Sequence, residues 1–243
     1  MILAAGLGTR LRPITDEIPK ALVTVGGTPM LERVAHRLID AGVDRLVINV
    51  HHHADRIAGF VRERDGFGVE TRLVHEPGAP LETGGGLLNA REHFRNGPFF
   101  LHNVDVICGL DLRGLYEAHL GADPLATLAV HDRDSRRLLR FDDSGLQARV
   151  DRDTQTVESE REPRGPVSDL AFAGIHVVAP RIFDLMTERG AFSIIGPYLR
   201  LAGDGHRILP HDIGSALWLE IGDPERLERA RRLMRRTNGE QES

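Results

Sequence analysis

The sequence predicts an α/β protein with three layers, in which helices cover a mainly parallel central sheet. Two observations favour this class. The runs Ile2–Ala5 and Phe99–Leu101 are apolar without interruption, the pattern of strands that are buried on both faces of a parallel sheet. Segments with helical spacing of apolar residues separate such runs, as in successive βαβ units. Ligands in these sheets bind at the carboxyl ends of the strands.

The first half of the chain alternates regularly between the two kinds of element. A helix with apolar residues between Met30 and Ile39 ends at Gly42, because glycine commonly terminates a helix. Further strands are predicted at 46–50, 69–74 and 98–101, and further helices at 54–64 and 84–94.

The second half begins with a predicted helix at 111–121 and a strand at 125–130. Residues 132–168 are rich in Asp, Arg, Glu and Ser and contain short β-like pieces, which predicts a small polar β-hairpin insertion. Strands at 170–178 and 216–221 and helices at 180–188, 194–202 and 224–236 complete the pattern. We therefore expect a single domain over residues 1–237, followed by a disordered tail at 238–243.

Composition excludes several classes of protein. The chain has 243 residues, 41% of them hydrophobic and 28% charged, as in soluble globular proteins. A net charge of −5 gives no basic surface for nucleic acid, and no apolar run is long enough to span a membrane. The single cysteine, Cys108, cannot form an internal disulfide, so we expect a cytoplasmic protein. The oligomeric state stays open, since no repeat indicates an assembly.

The loop after the first strand, Gly6-Leu7-Gly8-Thr9-Arg10, has the character of a phosphate-binding turn. Glycine lets backbone amides approach a ligand closely, and Arg10 and the later Lys20 supply two cations. A Walker A loop would end in Gly-Lys-Ser/Thr, which is absent here. A dinucleotide fingerprint requires a third glycine where Leu11 stands, which argues against a nicotinamide-dependent oxidoreductase. The pattern instead favours a polyphosphate ligand.

The string Leu-Ala-Ala-Gly-x-Gly-Thr-Arg-Leu at 3–11, followed by Pro-Lys-Ala-Leu at 19–22, resembles the signature of sugar-1-phosphate nucleotidyltransferases. The resemblance implies a GT-A-like fold and the conversion of NTP and sugar 1-phosphate, both small molecules, to NDP-sugar and pyrophosphate. It implies that Arg10 and Lys20 are catalytic. The nucleotide contacts that it implies in this segment are at Leu3, Ala4, Ala5, Gly6, Gly8 and Thr9.

The same resemblance implies a Mg²⁺ cofactor held by Asp105 and Glu220. Asp105 follows the apolar strand at 98–101, where a carboxylate faces the ligand crevice, and Asn103 beside it is expected to contact the nucleotide. Glu220 stands where the family usually has Asp, and Val104 where it usually has a small residue. The run 51–53 of three histidines is interpreted as a loop at a strand end, because adjacent residues of an extended segment point to opposite sides.

The segment Leu81-Glu82-Thr83-Gly84-Gly85-Gly86 is closely similar to a motif of N-acetylmuramate-1-phosphate uridylyltransferases. Three glycines at the start of a helix are costly unless something must approach the backbone closely. We expect Glu76, Gly84 and Gly85 to contact the nucleotide, and Glu82 to position the loop or the sugar.

Two further positions are assigned to the sugar. Gly174, in Phe172-Ala173-Gly174-Ile175, resembles a family strand whose backbone faces the sugar. Arg161 resembles a lysine that holds the sugar phosphate, although its charged neighbourhood also fits a solvated face.

The chain is thus predicted to be a nucleotidyltransferase, with UTP and N-acetylmuramate 1-phosphate as the favoured substrates. A mannose- or heptose-1-phosphate guanylyltransferase is the alternative within the class, favoured by Asn49-Val50-His51. A non-catalytic, regulatory nucleotide-sugar-binding relative is the alternative outside it, favoured by Glu220 and Val104.

Overall fold

The computed structural model describes residues 1–76, 78–94 and 97–239. The strands are β1 Ile2–Leu3, β2 Thr24–Val25, β3 Thr28–Pro29, β4 Arg45–Val50, β5 Glu70–His75, β6 Phe99–Asn103, β7 Val106–Cys108, β8 Ala126–His131, β9 Arg137–Asp142, β10 Gly145–Asp151, β11 Thr156–Ser159, β12 Ser168–Val178, β13 Ile208–Asp212 and β14 Trp218–Glu220. The helices are α1 Ile14–Glu17, α2 Met30–Asp40, α3 Ala54–Glu63, α4 Glu82–Asn89, α5 Leu112–Ala122, α6 Ile182–Leu185, α7 Ile195–Gly203 and α8 Pro224–Gly239.

The chain divides into two compact units, each assembled from separate stretches. The first unit contains Met1–Pro80, His102–Gly109 and Leu217–Ser243, and the second contains Leu81–Leu101 and Leu110–Ala216. The expectation of one domain over residues 1–237 stays a prediction. Of the tail predicted at 238–243, helix α8 includes 238 and 239, and residues 240–243 lie outside the described residues.

The first unit contains a parallel set of strands around β1. Ile2 pairs with Ile48 of β4 on one side and with His102 of β6 on the other, and β4 pairs with β5 in the same direction. Strands β1, β4 and β6 are apolar and mostly buried, and Ile2 and Ile48 are fully buried, whereas β5 at the sheet edge is polar and has no buried residue. Their carboxyl ends share one edge, from which the N-terminal loop leaves.

A hydrophobic cluster joins the two ends of the chain within the first unit. It contains Leu11 of the N-terminal loop, Ile107 of β7, Leu219 of β14 and Leu227 of α8, all buried. Strands β7 and β14 pair in antiparallel fashion and carry this cluster on one side. The loop, the turn after β6 and the start of the last helix are therefore held together by apolar packing.

The second unit has a mixed sheet. Strand β12 pairs in antiparallel fashion with β8 and β9, and β8 pairs in parallel with β13. The predicted insertion forms the antiparallel series β9–β10–β11, which is one strand more than a hairpin. The predicted α/β class is therefore confirmed, with a central sheet that is mixed and mainly parallel.

Several boundaries differ from the sequence prediction. The helix expected over 84–94 begins at Glu82 and ends at Asn89, and a 3₁₀ turn follows at Arg91–His93. Strand β13 was not predicted, because it is only five residues long and contains Pro210. Among the residues that the structure describes, no helix combines the length and the apolar character that crossing a membrane requires.

Candidate active site

Several backbone amides of the N-terminal loop have no acceptor within the described part of the chain. The amide of Ala4 donates to Asn49 Oδ1 (2.8 Å), but those of Gly6, Leu7 and Gly8 have no acceptor among the described residues. Gly6 and Leu7 are exposed. Exposed amides without an intramolecular acceptor are available to bind an anion.

The two loop glycines serve different purposes. Gly8 has a φ of +64°, and a Cβ placed there would lie 2.8 Å from Thr15 Cγ2 and 3.3 Å from Lys20 Cβ. Thr15 Oγ1 also donates to the Gly8 carbonyl (2.8 Å). Gly8 is therefore required for the loop to pack against the turn that carries Lys20. Around Gly6, in contrast, a Cβ would meet nothing within 4 Å.

Lys20 and Asp105 form an ion pair. The ammonium donates to Asp105 Oδ2, and the two side chains are 12% and 17% exposed. The 3₁₀ turn Lys20–Leu22 presents the lysine and buries Ala21 beneath it. Asp105 lies in the turn between β6 and β7, and its carbonyl accepts the amide of Ile221 (3.1 Å). The other carboxylate oxygen of Asp105 has no hydrogen bond within the described part of the chain.

Glu220, at the end of β14, pairs in register with Val106 and so lies next to the turn that carries Asp105. Its Oε1 is 3.6 Å from Arg10 Nη2, and its Oε2 accepts a hydrogen bond from Arg226 Nη1. The first unit thus brings together Arg10, Lys20, Asp105 and Glu220, which come from both ends of the chain. Their individual roles stay predictions.

The carboxylates at this cluster have the chemistry of a magnesium site. Mg²⁺ prefers oxygen ligands and is usually bound by one or two carboxylates together with substrate phosphates and water. Asp105 and Glu220 provide that number, and Asp105 has one oxygen without a protein partner. In the described residues no group of three or more His, Cys, Asp or Glu side chains is arranged to bind a metal, so 51–53 forms no such site.

Two buried hydrogen bonds, which we call the polar relay, connect Ala4 at the start of the loop to Asn49 and Asn49 to Glu76. Glu76 is fully buried and accepts from Asn49 Nδ2 (2.6 Å), and Asn49 Oδ1 accepts from the Ala4 amide (2.8 Å). The sequence prediction placed Glu76 in contact with nucleotide and overlooked Asn49 as a site residue. The available signal was an amide side chain within the apolar strand at 46–50. Asn103 pairs in register with Leu3, where β1 ends.

One compositional signal in the site was also missed. Lys20 is the only lysine of the chain, and the other 30 of its 31 Lys and Arg residues are arginines. Arginine and lysine differ in shape, hydration and hydrogen-bonding geometry. A chain that uses arginine everywhere else has lysine at the position that contacts Asp105.

The glycine-rich segment lies in the second unit and owes its composition to packing. The amides of Gly84 and Gly85 both donate to the Phe192 carbonyl, at 2.9 and 3.3 Å. A Cβ at Gly84 would lie 2.4 Å from the Phe192 ring, and one at Gly85 would lie 2.4 Å from the Gly190 carbonyl oxygen. These glycines therefore allow close contact with the 190–192 segment. Glu82 is exposed and has a φ of +59°.

Arg161 and Gly174 also lie in the second unit. Arg161 is not on a solvated face, since its guanidinium makes two hydrogen bonds to Asp142 (2.6 and 2.7 Å) and the side chains are 11% and 0% exposed. These bonds hold the pKa of Asp142 well below its usual range. Gly174 has a φ of +78° at a register shift of β12, a conformation that favours glycine.

The fold and the site together define an α/β protein with an N-terminal glycine-rich loop, two cations and an adjacent pair of carboxylates. A family profile described as nucleotidyl transferase matches residues 1–236. The chain therefore belongs to the nucleotidyl transferase family, and the predicted class of sugar-1-phosphate nucleotidyltransferases is confirmed.

Individual relatives agree with this assignment. An N-acetylmuramate alpha-1-phosphate uridylyltransferase of Caulobacter vibrioides is 33% identical over 93% of this chain and 92% of its own length. A mannose-1-phosphate guanyltransferase of Pichia angusta is 29% identical over 93% of this chain and 61% of its own length. The crystal structure of a putative glucose-1-phosphate thymidylyltransferase from Bacillus anthracis, with sucrose, has a TM-score of 0.81 at 22% identity, covering 96% of this chain and 94% of its own, which shows a shared fold.

Proposed function

We propose that the protein transfers the uridylyl group of UTP to N-acetylmuramate 1-phosphate. An oxygen of the sugar phosphate attacks the α-phosphorus in line and forms a new P–O bond. The bond from the α-phosphorus to the oxygen bridging the β-phosphate breaks, and pyrophosphate leaves. No covalent intermediate with the protein is needed, because phosphate is already a nucleophile. The protein contributes alignment and charge neutralisation, which dominate catalysis at phosphorus.

The cluster of Arg10, Lys20, Asp105 and Glu220 beside the loop amides is the observation that carries this proposal. Arg10 is 64% exposed and offers a planar set of donors that suits the β- and γ-phosphates as they leave. Lys20 acts on the phosphates at the reacting centre as a compact point charge. The amides of residues 6–8, which have no acceptor in the described residues, bind nucleotide oxygens.

A magnesium ion is part of the proposal, with Asp105 and Glu220 as its protein ligands. When bound, it would neutralise charge on the reacting phosphates. Lys20 already neutralises one oxygen of Asp105, so the carboxylate is held in place for its role. EDTA should abolish turnover, and added MgCl₂ should restore it. Full activity in excess EDTA would exclude a metal at these carboxylates.

The choice of substrates is supported by two observations. The relative that is 33% identical is named for N-acetylmuramate alpha-1-phosphate, and it matches this chain over nearly the full length of both. The segment 81–86 carries the motif that resembles those enzymes. Sugar contacts at Glu82, Arg161 and Gly174, and nucleotide contacts at Glu76, Gly84 and Gly85, remain predictions within this proposal.

A guanylyltransferase acting on mannose or heptose 1-phosphate is the second candidate. A mannose-1-phosphate guanyltransferase is 29% identical over 93% of this chain, and Asn49-Val50-His51 resembles a strand end of such enzymes. A non-catalytic, nucleotide-sugar-binding role is the third, because Glu220 and Val104 depart from the usual family residues.

One experiment separates the three candidates. Pyrophosphate release is measured with each of UTP, GTP, CTP and dTTP, against the 1-phosphates of N-acetylmuramate, N-acetylglucosamine, mannose and a heptose, with MgCl₂. We expect the highest kcat/KM for UTP with N-acetylmuramate 1-phosphate. A maximum with GTP and mannose or heptose 1-phosphate would replace the proposed substrates. Turnover with no pair would favour the non-catalytic role.

The single lysine allows a second readout that does not depend on turnover. Protein labelled with ¹³C at lysine Cε gives one lysine signal, which belongs to Lys20. We expect this signal to shift on addition of UTP. A signal unmoved by saturating UTP would exclude Lys20 from the nucleotide site. We also propose a cytoplasmic location, since the single cysteine, Cys108, is buried and cannot form an internal disulfide.

A further inference from the structure

The Glu220 carboxylate lies between the guanidinium groups of Arg10 and Arg226. Its Oε1 is 3.6 Å from Arg10 Nη2, which is longer than a hydrogen bond, and its Oε2 accepts a hydrogen bond from Arg226 Nη1. Glu220 is 19% exposed, whereas Arg10 and Arg226 are 64% and 51% exposed. One carboxylate is therefore shared unequally between two arginines.

Gly222 lies next to both charged groups of the Glu220–Arg10 contact. A Cβ at Gly222 would lie 2.3 Å from Glu220 Oε1 and 2.9 Å from Arg10 Nη2. The carboxylate and the guanidinium consequently both lie directly over Gly222, where a larger residue would displace them.

Arg226 is fixed by contacts other than the one with Glu220. Its Nε lies 3.2 Å from Asp223 Oδ2, and its backbone amide donates to Asp223 Oδ1 (2.9 Å) at the start of α8. The next residue, Leu227, belongs to the same buried cluster as Leu11, the neighbour of Arg10. Arg226 therefore has a defined position relative to the loop.

We propose that Arg226 is a positioning residue that acts through Glu220 on Arg10. By engaging Oε2, it prevents Glu220 from forming a bidentate pair with Arg10, the geometry that carboxylates and guanidinium groups favour. Arg10 is then oriented by one oxygen and keeps its donors available for phosphate. The inference rests on the proposed function, in which Arg10 binds the departing phosphates.

A double-mutant cycle tests whether Arg226 acts through Glu220 on Arg10. In Arg226→Ala, kcat should fall by about 10–100-fold, since misplacing a positioned group can cost on the order of 10²-fold. In an Arg10→Ala background, the same substitution should change kcat by no more than about twofold, the usual error of additivity. Equal losses in both backgrounds, or no loss in either, would overturn the proposal.

Two controls make the cycle specific. Arg229→Ala removes the same charge from an exposed position of the same helix and should leave kcat unchanged. Arg226→Gln is the second variant if Arg226→Ala does not fold, because it keeps a similar length without the charge. Unfolding midpoints are recorded for all variants.

UTP binding by calorimetry in EDTA keeps the failure of this inference distinct from that of the proposed function. We expect Arg226→Ala to weaken UTP binding, and not to weaken it further in Arg10→Ala. If the wild type turns over no substrate pair, the proposed function fails. The UTP-binding measurements on the single and double variants then test by themselves whether Arg226 acts through Glu220 on Arg10. Equal weakening of UTP binding in both backgrounds, or no weakening in either, would overturn the positioning role of Arg226.

Discussion

The ammonium of Lys20 and the carboxylate of Asp105, which are 85 positions apart in the chain, form an ion pair that is largely withdrawn from water. Their side chains are 12% and 17% exposed. Removing one partner of such a pair leaves the other charge poorly solvated, so each residue depends on the other. The pair fixes a positive and a negative group at the carboxyl edge of the parallel strands.

We predict that Lys20→Arg reduces kcat by about 10²–10³-fold, as much as Lys20→Ala, because a preorganised electrostatic group is lost in both. The position has little room, since the Lys20 side chain is only 12% exposed and its ammonium already contacts Asp105, and arginine carries a larger planar group. Steady-state pyrophosphate release measures the effect.

The matched control is Arg45→Lys, which exchanges the same residue types in an exposed pair with Glu70. That variant should retain wild-type turnover, because exposed pairs contribute about 0–1 kcal/mol. Wild-type kcat in Lys20→Arg would show that only the charge at this position matters.

The two loop glycines give a second prediction. Gly6→Ala should not lower the unfolding free energy, because a Cβ there meets nothing within 4 Å and alanine restricts the unfolded chain, yet it should raise KM for the nucleotide at least tenfold (about 1.4 kcal/mol) by blocking close approach of phosphate. Urea unfolding and initial-rate kinetics measure the two quantities.

Gly8→Ala serves as the contrast, since it should lower both stability and activity. Its φ of +64° and the 2.8 Å approach to Thr15 Cγ2 strain any larger residue. If Gly6→Ala binds nucleotide normally, the proposed approach of phosphate to the loop backbone is wrong.

The relay behind the loop gives a third prediction. Asn49→Ala should reduce the unfolding free energy by about 1–3 kcal/mol, because the buried Ala4 amide loses its acceptor. KM for the nucleotide should rise as the loop loosens. Asn49→Asp should destabilise more, because it places a second carboxylate beside Glu76. Equal unfolding midpoints in urea for wild type and Asn49→Ala would contradict the relay.

These residues show what the sequence could and could not predict about the site. The turn glycines, the cations at 10 and 20, and the carboxylates at 105 and 220 stand in short local patterns, so they were named. The role of Asn49 depends on Ala4 and Glu76, which are 45 and 27 positions away, and no local pattern records that contact. Only its polar character within a buried strand marks it.

In the second unit, too, contacts between residues far apart in the sequence could not be predicted from local patterns. Three glycines at 84–86 indicated a close approach, but the approaching group is the protein's own 190–192 segment, about a hundred positions later in the chain. Arg161 was judged by its charged neighbours, whereas its partner Asp142 is 19 positions earlier. The alternation of apolar strands with helices was sufficient to predict the α/β class of the fold. Short strands with polar or proline residues, such as β11 and β13, lack the apolar pattern that would predict them.

A fourth prediction concerns pH. Burial lowers the pKa of His102 from 6.5 to about 4. Between these values the unfolded state binds a proton that the folded state does not, so the unfolding free energy should fall as pH drops from about 6.5 to 4. This histidine should contribute up to about 3 kcal/mol to that loss, at 1.36 kcal/mol per pKa unit. In His102→Gln the loss should shrink, and in His52→Gln, at an exposed position, it should not. Urea unfolding at pH 7 and pH 4.5 decides between them.

The last prediction concerns Glu82, an exposed residue at the start of α4 with a φ of +59°. Non-glycine residues in this left-handed region cost of order 1–3 kcal/mol. Glu82→Gly should therefore raise the unfolding free energy by about 1 kcal/mol. If the carboxylate positions the sugar, the same change should lower kcat/KM for the sugar 1-phosphate while KM for the nucleotide stays the same.

Gln155, in the turn between β10 and β11, has a φ of +54° and provides the control. Gln155→Gly should relieve a similar strain, with no change in kinetics. Gain of stability with loss of sugar turnover in Glu82→Gly alone would show that the strain is kept for function. If both variants gain stability and keep full turnover, Glu82 has no role with the sugar, and its conformation follows only from the packing of the 81–85 turn against Phe192.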